Sequence, residues 1–185
     1  MGKIKVWTRQ HKSVLDKVMN EGRYIAKKDY IHMDLQEHAN LVLEVYDWLV
    51  KHSPTIAAKP ADVDYPVWVS FDEDATMLSG ESGVVFELTL EEEMIAQVNI
   101  AKWGAILNYS YIPENETDAK RHREILDAYG VDDAKAYMTQ FYPTIKKEIV
   151  ASWSRLFDDN VKMGNDLKYG IIWEMKKEWI TKVIQ

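Results

Sequence analysis

The sequence contains no cysteine, and this absence excludes disulfides, thiolate metal sites and cysteine nucleophiles. Its eight glycines are scattered, and they form neither the P-loop nor the dinucleotide-binding pattern that cradles phosphate. No apolar run approaches the roughly 20 residues that a membrane-spanning helix requires. Disulfides are rare in the cytoplasm, and the absence of cysteine fits that compartment. We therefore expect a cytoplasmic protein that spans no membrane and holds no cofactor.

Basic residues are nearly absent from the middle of the chain. Residues 60–118 contain 13 acidic residues and a single basic residue, Lys102, whereas both flanking segments are slightly basic. The formal net charge of −7 therefore arises in this segment. A duplex-binding protein needs Lys and Arg to replace phosphate counterions, so we expect no nucleic-acid binding through a basic face. An acidic surface attracts a protein partner with a basic surface instead.

The length of 185 residues and a hydrophobic fraction of 46% predict one domain, residues 1–185, with a sizeable core. Alternating apolar residues predict strands at residues 3–8, 67–71, 84–90 and 169–176. Amphipathic patterns and capping residues predict helices at about residues 12–21, 34–49, 91–98, 99–108, 117–129, 132–141 and 143–157. The acidic segment 72–82 is interpreted as an exposed hairpin loop. The expected fold class is α+β, with a small mixed or antiparallel sheet packed with about six helices.

Histidines come closest to a metal-binding pattern at the start of the second predicted helix. His32 and His38 lie six residues apart, with Asp34 and Glu37 between them. Asp34 is also a good helix N-cap, and Glu37 completes a capping box. A structural metal site needs three or four converging ligands, which this spacing does not provide. We therefore predict capping or surface roles for these residues, no metal site, and no catalytic histidine elsewhere in the chain.

Two carboxylates within predicted strands are candidates for acid–base chemistry. Alternation places Ile172 and Glu174 on the side of the last predicted strand that faces away from the core, and Glu87 has the same placing in its own strand. A carboxylate held on a rigid strand can act as a general base or stabilise a positively charged sugar transition state. The alternative is that each glutamate is simply a polar residue on the solvent-facing side of a sheet, because any half-exposed strand shows this alternation.

Seven tryptophans and ten tyrosines make the chain rich in aromatic residues. Most of the tryptophans lie next to aliphatic residues in predicted elements, which is typical of core anchors rather than base-stacking platforms. Trp68 differs because it follows Tyr65 and Pro66 at the end of a long loop. We interpret Tyr65, Trp68 and the strand residue Glu87 as candidate ligand contacts.

Six short motifs follow one another along the chain. They are Val6–Gln10, Val45–Val50, Tyr65–Trp68, Phe86–Leu88 with Trp103 and Leu107–Asn108, Trp153 with Leu156–Asp158, and Trp173–Glu178. Together they resemble the bacterial and phage protein family called domain of unknown function 3841 over nearly the whole chain. The resemblance implies membership of this family and no particular activity.

The chain departs from the family pattern at two places. The family usually has a basic, aromatic stretch after the Tyr-Pro-x-Trp motif, where this chain has the segment Asp72–Thr76, which begins with three acidic residues. It usually has aspartates before the tryptophan that corresponds to Trp103, where this chain has Asn99 and Ala101. Chemistry that depends on those positions would be lost in this member.

A fold-level analogy connects the arrangement of predicted elements with ADP-ribosyltransferase-like domains. In such enzymes a polar residue on an early strand meets the nicotinamide ribose, and a late glutamate binds a ribose hydroxyl. The analogous residues are Thr8 or Gln10, and Glu174. The analogy implies a small transferase that uses NAD or a nucleotide, with these three residues as its catalytic groups.

Two hypotheses about function follow. The first is an interaction module that presents the acidic segment 60–118 to a partner with a basic surface, through Asp72, Glu73 and Asp74. The second is the NAD- or nucleotide-using transferase. The absence of a phosphate-binding motif favours the first hypothesis, whereas the absence of an exposed apolar stripe argues against an obligate partner. The sequence assigns no oligomeric state.

Overall fold

In the computed structural model, the described residues are 2–28, 39–76 and 83–185. The strands are β1 (Lys3–His11), β2 (Arg23–Tyr24), β3 (Val67–Ser70), β4 (Gly83–Glu91), β5 (Ala96–Asn99), β6 (Lys168–Ile172), β7 (Met175–Lys176) and β8 (Ile180–Ile184). The α-helices are α1 (Ser13–Glu21), α2 (Ala39–His52), α3 (Glu73–Thr76), α4 (Ile100–Leu107), α5 (Glu116–Tyr129), α6 (Asp133–Met138) and α7 (Pro143–Ser152). Short 3-10 helices cover Ile56–Ala58, Glu92–Met94, Trp153–Phe157 and Lys177–Trp179. The predicted α+β fold class is confirmed.

Six strands form one antiparallel sheet in the order β5-β6-β3-β1-β4-β8, and β2 pairs with β7 in a second, two-stranded sheet. β1 and β4 pair over their whole length, from Lys3 opposite Glu91 to His11 opposite Gly83. The alternation predicted for β4 is confirmed by the residues that it contributes to the hydrophobic core. These are Val84, Phe86, Leu88 and Leu90.

The hairpin predicted between the second and third strands of the sequence is wrong. β3 and β4 are not neighbours, because β1 lies between them and pairs with both. The first residues of the predicted loop form α3 instead, and residues 77–82 lie outside the described residues. Alternation along one strand identifies its two faces, but the packing of the whole sheet decides which strands are neighbours.

The helix predicted immediately after β4 is also wrong. β4 runs through Glu91, one 3-10 turn follows, and the chain then continues as β5. Within β5, Ala96 and Val98 are buried whereas Gln97 is exposed, which is the two-residue period of a strand. Burial of these alternate residues outweighs the helix-favouring glutamates that precede them.

The last strand predicted from the sequence is shorter than expected. β6 ends at Ile172, the chain bends at Trp173 and Glu174, and Met175 begins β7, which pairs with β2. The bend interrupts the alternation, so Ile172 and Met175 both lie in the hydrophobic core although they are three residues apart. The prediction that Ile172 faces away from the core is therefore wrong, and Glu174 lies on a bend rather than within a strand.

Glycine ends two of the helices, as the sequence predicts, and asparagine begins another. Gly22 and Gly130 follow α1 and α5 with φ values of 80° and 61°, a left-handed conformation that favours glycine. Asn99 caps α4 by accepting the backbone N–H of Lys102. The predicted capping box of Asp34 and Glu37, together with His32 and His38, lies outside the described residues.

The described residues form two compact units. The sheet unit comprises the described residues of 1–97 together with 168–185, and the helical unit comprises residues 98–167. In the sheet unit, α1 contributes to the core formed by the six-stranded sheet. The helical unit buries aromatic and aliphatic residues of its own, among them Trp153. The prediction of one domain over residues 1–185 stays a prediction. Among the described residues, no helix has the length and apolar character that crossing a membrane demands.

Candidate functional site

Two acidic segments lie at one end of the six-stranded sheet. β3 runs antiparallel to β1, so the chain leaves Ser70 toward the N-terminal half of β1, where α3 packs against both strands. The second segment begins at the end of β4, where the N–H of Glu92 donates to the carbonyl oxygen of Gly2. We call the acidic residues of both segments the acidic end: Asp72, Glu73, Asp74, Glu91, Glu92 and Glu93.

Most carboxylates of the acidic end face solvent. Asp72, Asp74, Glu92 and Glu93 are exposed, and none of these four forms an ion pair within the part of the chain that the structure describes. Asp72 also has a structural role, because its Oδ1 accepts the backbone N–H of Asp74 at 2.9 Å where α3 begins. The acidic end therefore holds the negative charges of these four carboxylates in solvent on an ordered backbone.

Two other acids of the segment 60–118 are compensated by nearby groups. The hydrogen bond from Arg23, which is the main cause, lowers the pKa of Asp62. A hydrogen bond from the Thr181 hydroxyl is the main cause that lowers the pKa of Glu87. The Lys5 ammonium, whose Nζ lies 3.1 Å from Glu87 Oε1, lowers it further. Local pairing therefore reduces the charge that these residues present to solvent, in contrast to the acidic end.

Lys102, the one basic residue of the segment 60–118, is buried. Its side chain is 1% exposed in the helical unit, and its Nζ donates to the backbone carbonyl oxygens of Arg155 at 2.9 Å and Asp158 at 2.7 Å. A buried ammonium requires such acceptors because its desolvation is otherwise costly. Lys102 therefore adds no exposed positive charge to this segment.

The structure brings Thr8 and Gln10 together but places Glu174 elsewhere in the sheet unit. Thr8 is buried and donates its hydroxyl to the carbonyl oxygen of Trp68 at 2.7 Å, and Gln10 Nε2 donates to Thr8 Oγ1 at 2.9 Å. Glu174 follows β6, which is separated from β1 by β3, and its carboxylate pairs with Arg23. The catalytic role suggested for these three residues stays a prediction.

Tyr65 and Trp68 both approach Tyr46 of α2. Tyr65 donates its hydroxyl to Asp47 Oδ1 at 2.8 Å. Burial is the larger cause of the raised pKa of Tyr65, and this hydrogen bond is the next. Its ring meets the Tyr46 ring edge-on with centroids 5.7 Å apart. Burial also raises the pKa of Tyr46, and a hydrogen bond with Trp68 opposes that rise. The ligand-binding role of Tyr65, Trp68 and Glu87 stays a prediction.

Glu174 lines a small cleft of the sheet unit. Arg23 Nε donates to Glu174 Oε2 at 2.7 Å, and Lys176 Nζ lies 3.6 Å from Oε1. Arg23 also bonds Asp62, and this hydrogen bond raises the pKa of Arg23. The cleft has a volume of about 100 Å³. It is lined by Ala58, Met94, Ile172, Trp173, Glu174, Lys176 and Trp179.

The helical unit contains a buried histidine that the sequence did not single out. His122 is 4% exposed, and its Nε2 lies 2.6 Å from Asp133 Oδ1. The His122 ring stacks on the Tyr111 ring with centroids 3.9 Å apart. Nδ1 has no hydrogen-bond partner among the described residues and lies 4.0 Å from Glu148 Oε2. The partners come from two other helices and a loop, so no local spacing predicts the cluster.

Tyr111 connects this histidine to a second carboxylate, Asp118. The Tyr111 hydroxyl donates to Asp118 Oδ2 at 2.8 Å and accepts hydrogen bonds from Arg121 at 3.1 Å and Arg155 at 3.2 Å. Desolvation disfavours the charged form of Asp118, but hydrogen bonds from the Glu114 N–H, Tyr111 and Arg121 lower the pKa of Asp118 to about 2. The ionised carboxylate is therefore part of the native packing.

An open cleft of about 210 Å³ borders this network. Neither ring nitrogen of His122 is available to a ligand there, because Nε2 is bonded to Asp133 and Nδ1 is buried. A general base must come within hydrogen-bond reach of the proton that it removes. In the described ranges, no three histidine or carboxylate side chains converge as metal ligands would.

The protein is thus an α+β protein whose sheet unit carries the acidic end and the cleft lined by Glu174 and Trp179. A family model described as Domain of unknown function (DUF3841) matches residues 5–181, so the chain belongs to this family. The family predicted from the six sequence motifs is thereby confirmed. No curated protein and no solved structure matches the chain.

Proposed function

We propose that the protein is a binding module that takes a protein partner with a basic surface at its acidic end. The proposal includes a cytoplasmic setting in a bacterium or a phage-infected cell. The observation that carries it is the set of exposed carboxylates at one end of the sheet, four of which form no ion pair among the described residues. A surface of one sign steers a partner of the opposite sign and selects against partners of the same sign.

The small size of the cleft beside Glu174 also favours a binding module over a transferase. Pockets that hold nucleotides or other drug-sized ligands commonly measure about 300–1,000 Å³. The cleft measures about 100 Å³, and both carboxylate oxygens of Glu174 face cations of the chain itself. A catalytic carboxylate would have to give up these partners before it met a ribose hydroxyl.

Reversing charge at the acidic end is expected to weaken binding of a cationic peptide by about tenfold or more, since three lost attractions become repulsions of about 0.2–1 kcal/mol each. The variant combines Asp74→Lys, Glu92→Lys and Glu93→Lys, all at exposed positions. Asp72 is retained because its carboxylate caps α3. The dissociation constant of a short peptide rich in Lys and Arg is measured by calorimetry at low and physiological salt.

The matched control reverses three exposed acids of the helical unit, through Glu114→Lys, Glu124→Lys and Asp127→Lys. It changes the net charge by the same amount, so a general electrostatic effect would weaken peptide binding equally in both variants. We expect the control to bind the peptide nearly as well as the wild type. Equal losses in both variants, or failure of the wild type to bind the cationic peptide at low salt, would contradict the proposal.

A further inference from the structure

We propose that the cleft beside Trp179 is a recognition pocket for a single Lys or Arg side chain of the partner, and that Lys176, which lines the cleft, holds the cation position between Trp179 and Glu174 when the partner is absent. This inference rests on the proposed binding function, because it specifies how a basic partner is held. The cleft residues belong to the sheet unit, which also carries the acidic end.

The Lys176 ammonium lies between an aromatic ring and a carboxylate. Its Nζ lies 5.4 Å from the centroid of the Trp179 ring and 3.6 Å from Glu174 Oε1. A cation within about 6 Å of an aromatic face is attracted by the negative charge of the ring face. Lys176 therefore marks a place where the fold itself stabilises an ammonium group between an indole and a carboxylate.

Arg23 and Asp62 together orient the Glu174 carboxylate. Arg23 donates to Glu174 Oε2 at 2.7 Å, and Asp62 fixes the other end of the Arg23 guanidinium. The Glu174 carboxylate is thus held by one oxygen, while its other oxygen faces Lys176 at a distance longer than a hydrogen bond. A cation that approached Oε1 more closely would gain a charge-assisted hydrogen bond that Lys176 does not make.

The cleft has a fixed aromatic wall and an apolar lining. Trp173 is 6% exposed and donates its indole N–H to the carbonyl oxygen of Thr55 at 2.8 Å, so this wall is fixed. Ala58 and Ile172 complete an apolar lining of the kind that packs against the methylene groups of a lysine stem. A volume of about 100 Å³ suits the end of one side chain.

Met94 connects the cleft with the acidic end. Met94 lies at the rim of the cleft and is 40% exposed. It directly follows the exposed Glu92 and Glu93 in the same 3-10 turn. A basic partner attracted to these glutamates therefore arrives beside the cleft. Exchange of one ammonium for another leaves Glu174 paired throughout, so no buried charge is left uncompensated during the exchange.

Removing the Lys176 charge is expected to open the pocket to a small cation. The probe is butylammonium, which reproduces the end of a lysine side chain, and the readout is the NMR shift of the Trp179 indole N–H. Lys176→Met should bind butylammonium roughly fivefold more tightly than the wild type, because no resident ammonium competes for Glu174 and Trp179. Lys176→Gln is the second variant, and it should behave in the same way.

The matched control is Lys177→Met, which removes the same charge from the adjacent, exposed residue. It should bind butylammonium as the wild type does, and 1-butanol should produce no comparable shift in any variant. Equal butylammonium binding by the Lys176 and Lys177 variants, or equal shifts with 1-butanol, would overturn the inference. Peptide binding tests the proposed function and butylammonium binding tests this pocket, so the two failures are distinguishable.

Discussion

Replacing Trp153 with alanine is expected to lower the free energy of unfolding by about 3–5 kcal/mol. Trp153 is 1% exposed in the helical unit, its indole N–H donates to the carbonyl oxygen of Ser110 at 2.9 Å, and its ring centroid lies 5.5 Å from that of Tyr137. The alanine variant loses this contact area, leaves a cavity and leaves the Ser110 carbonyl without its donor. Urea denaturation followed by circular dichroism measures the change.

Trp153→Phe separates the two contributions. Phenylalanine retains most of the buried ring but cannot donate to Ser110, so we expect a loss smaller than that of the alanine variant, about 1–3 kcal/mol. A Trp153→Ala variant whose unfolding free energy falls by less than about 1 kcal/mol would show that the helical unit does not depend on this anchor.

Replacing Asp118 with asparagine is expected to lower the free energy of unfolding by about 2 kcal/mol at neutral pH. The pKa of Asp118 is lowered to about 2 in the folded protein, whereas an aspartate in an unfolded chain titrates near 3.9. The ionised form is therefore favoured by folding. This stabilisation is fully present above about pH 4, and it disappears as the pH falls from about 4 to about 2.

The pH dependence distinguishes this mechanism from a simple loss of packing. The difference in stability between wild type and Asp118→Asn should stay constant from pH 7 to about pH 5 and should shrink below about pH 4. Asp127→Asn, at an exposed position on the same helix, is the control and should change stability by less than about 0.5 kcal/mol. A difference that is the same at every pH would mean that the charge of Asp118 contributes nothing.

Patterns that are local in the chain predicted local structure well. The alternation of β4 and the glycines after α1 and α5 identified these elements because each pattern depends on neighbouring residues only. The position of β1 between β3 and β4 could not be predicted in the same way. Which strands become neighbours depends on the packing of all strands around one core. The sequence of β1 alone does not indicate which two strands will flank it.

The candidate sites show the same limit. Counting charge along the chain located the acidic segment, but the pairing of Glu174 with Arg23 joins residues 151 positions apart. The bend at Glu174 was missed because the apolar residues around it continue a strand-like pattern. His122 looked isolated because its partner Asp133 lies on the next helix along the chain. Each of these contacts is a property of the folded backbone rather than of a sequence motif.

We expect a basic partner to bind the sheet unit at the acidic end and to enter the cleft beside Trp179. NMR titration of the isotope-labelled protein with the peptide rich in Lys and Arg, at low salt, maps the amide and indole shifts. The largest shifts should cluster at residues 72–74, 91–94 and 174–179. Shifts that are confined to residues 98–167 would contradict this binding mode. Shifts of equal size in the variant that combines Asp74→Lys, Glu92→Lys and Glu93→Lys would contradict it as well.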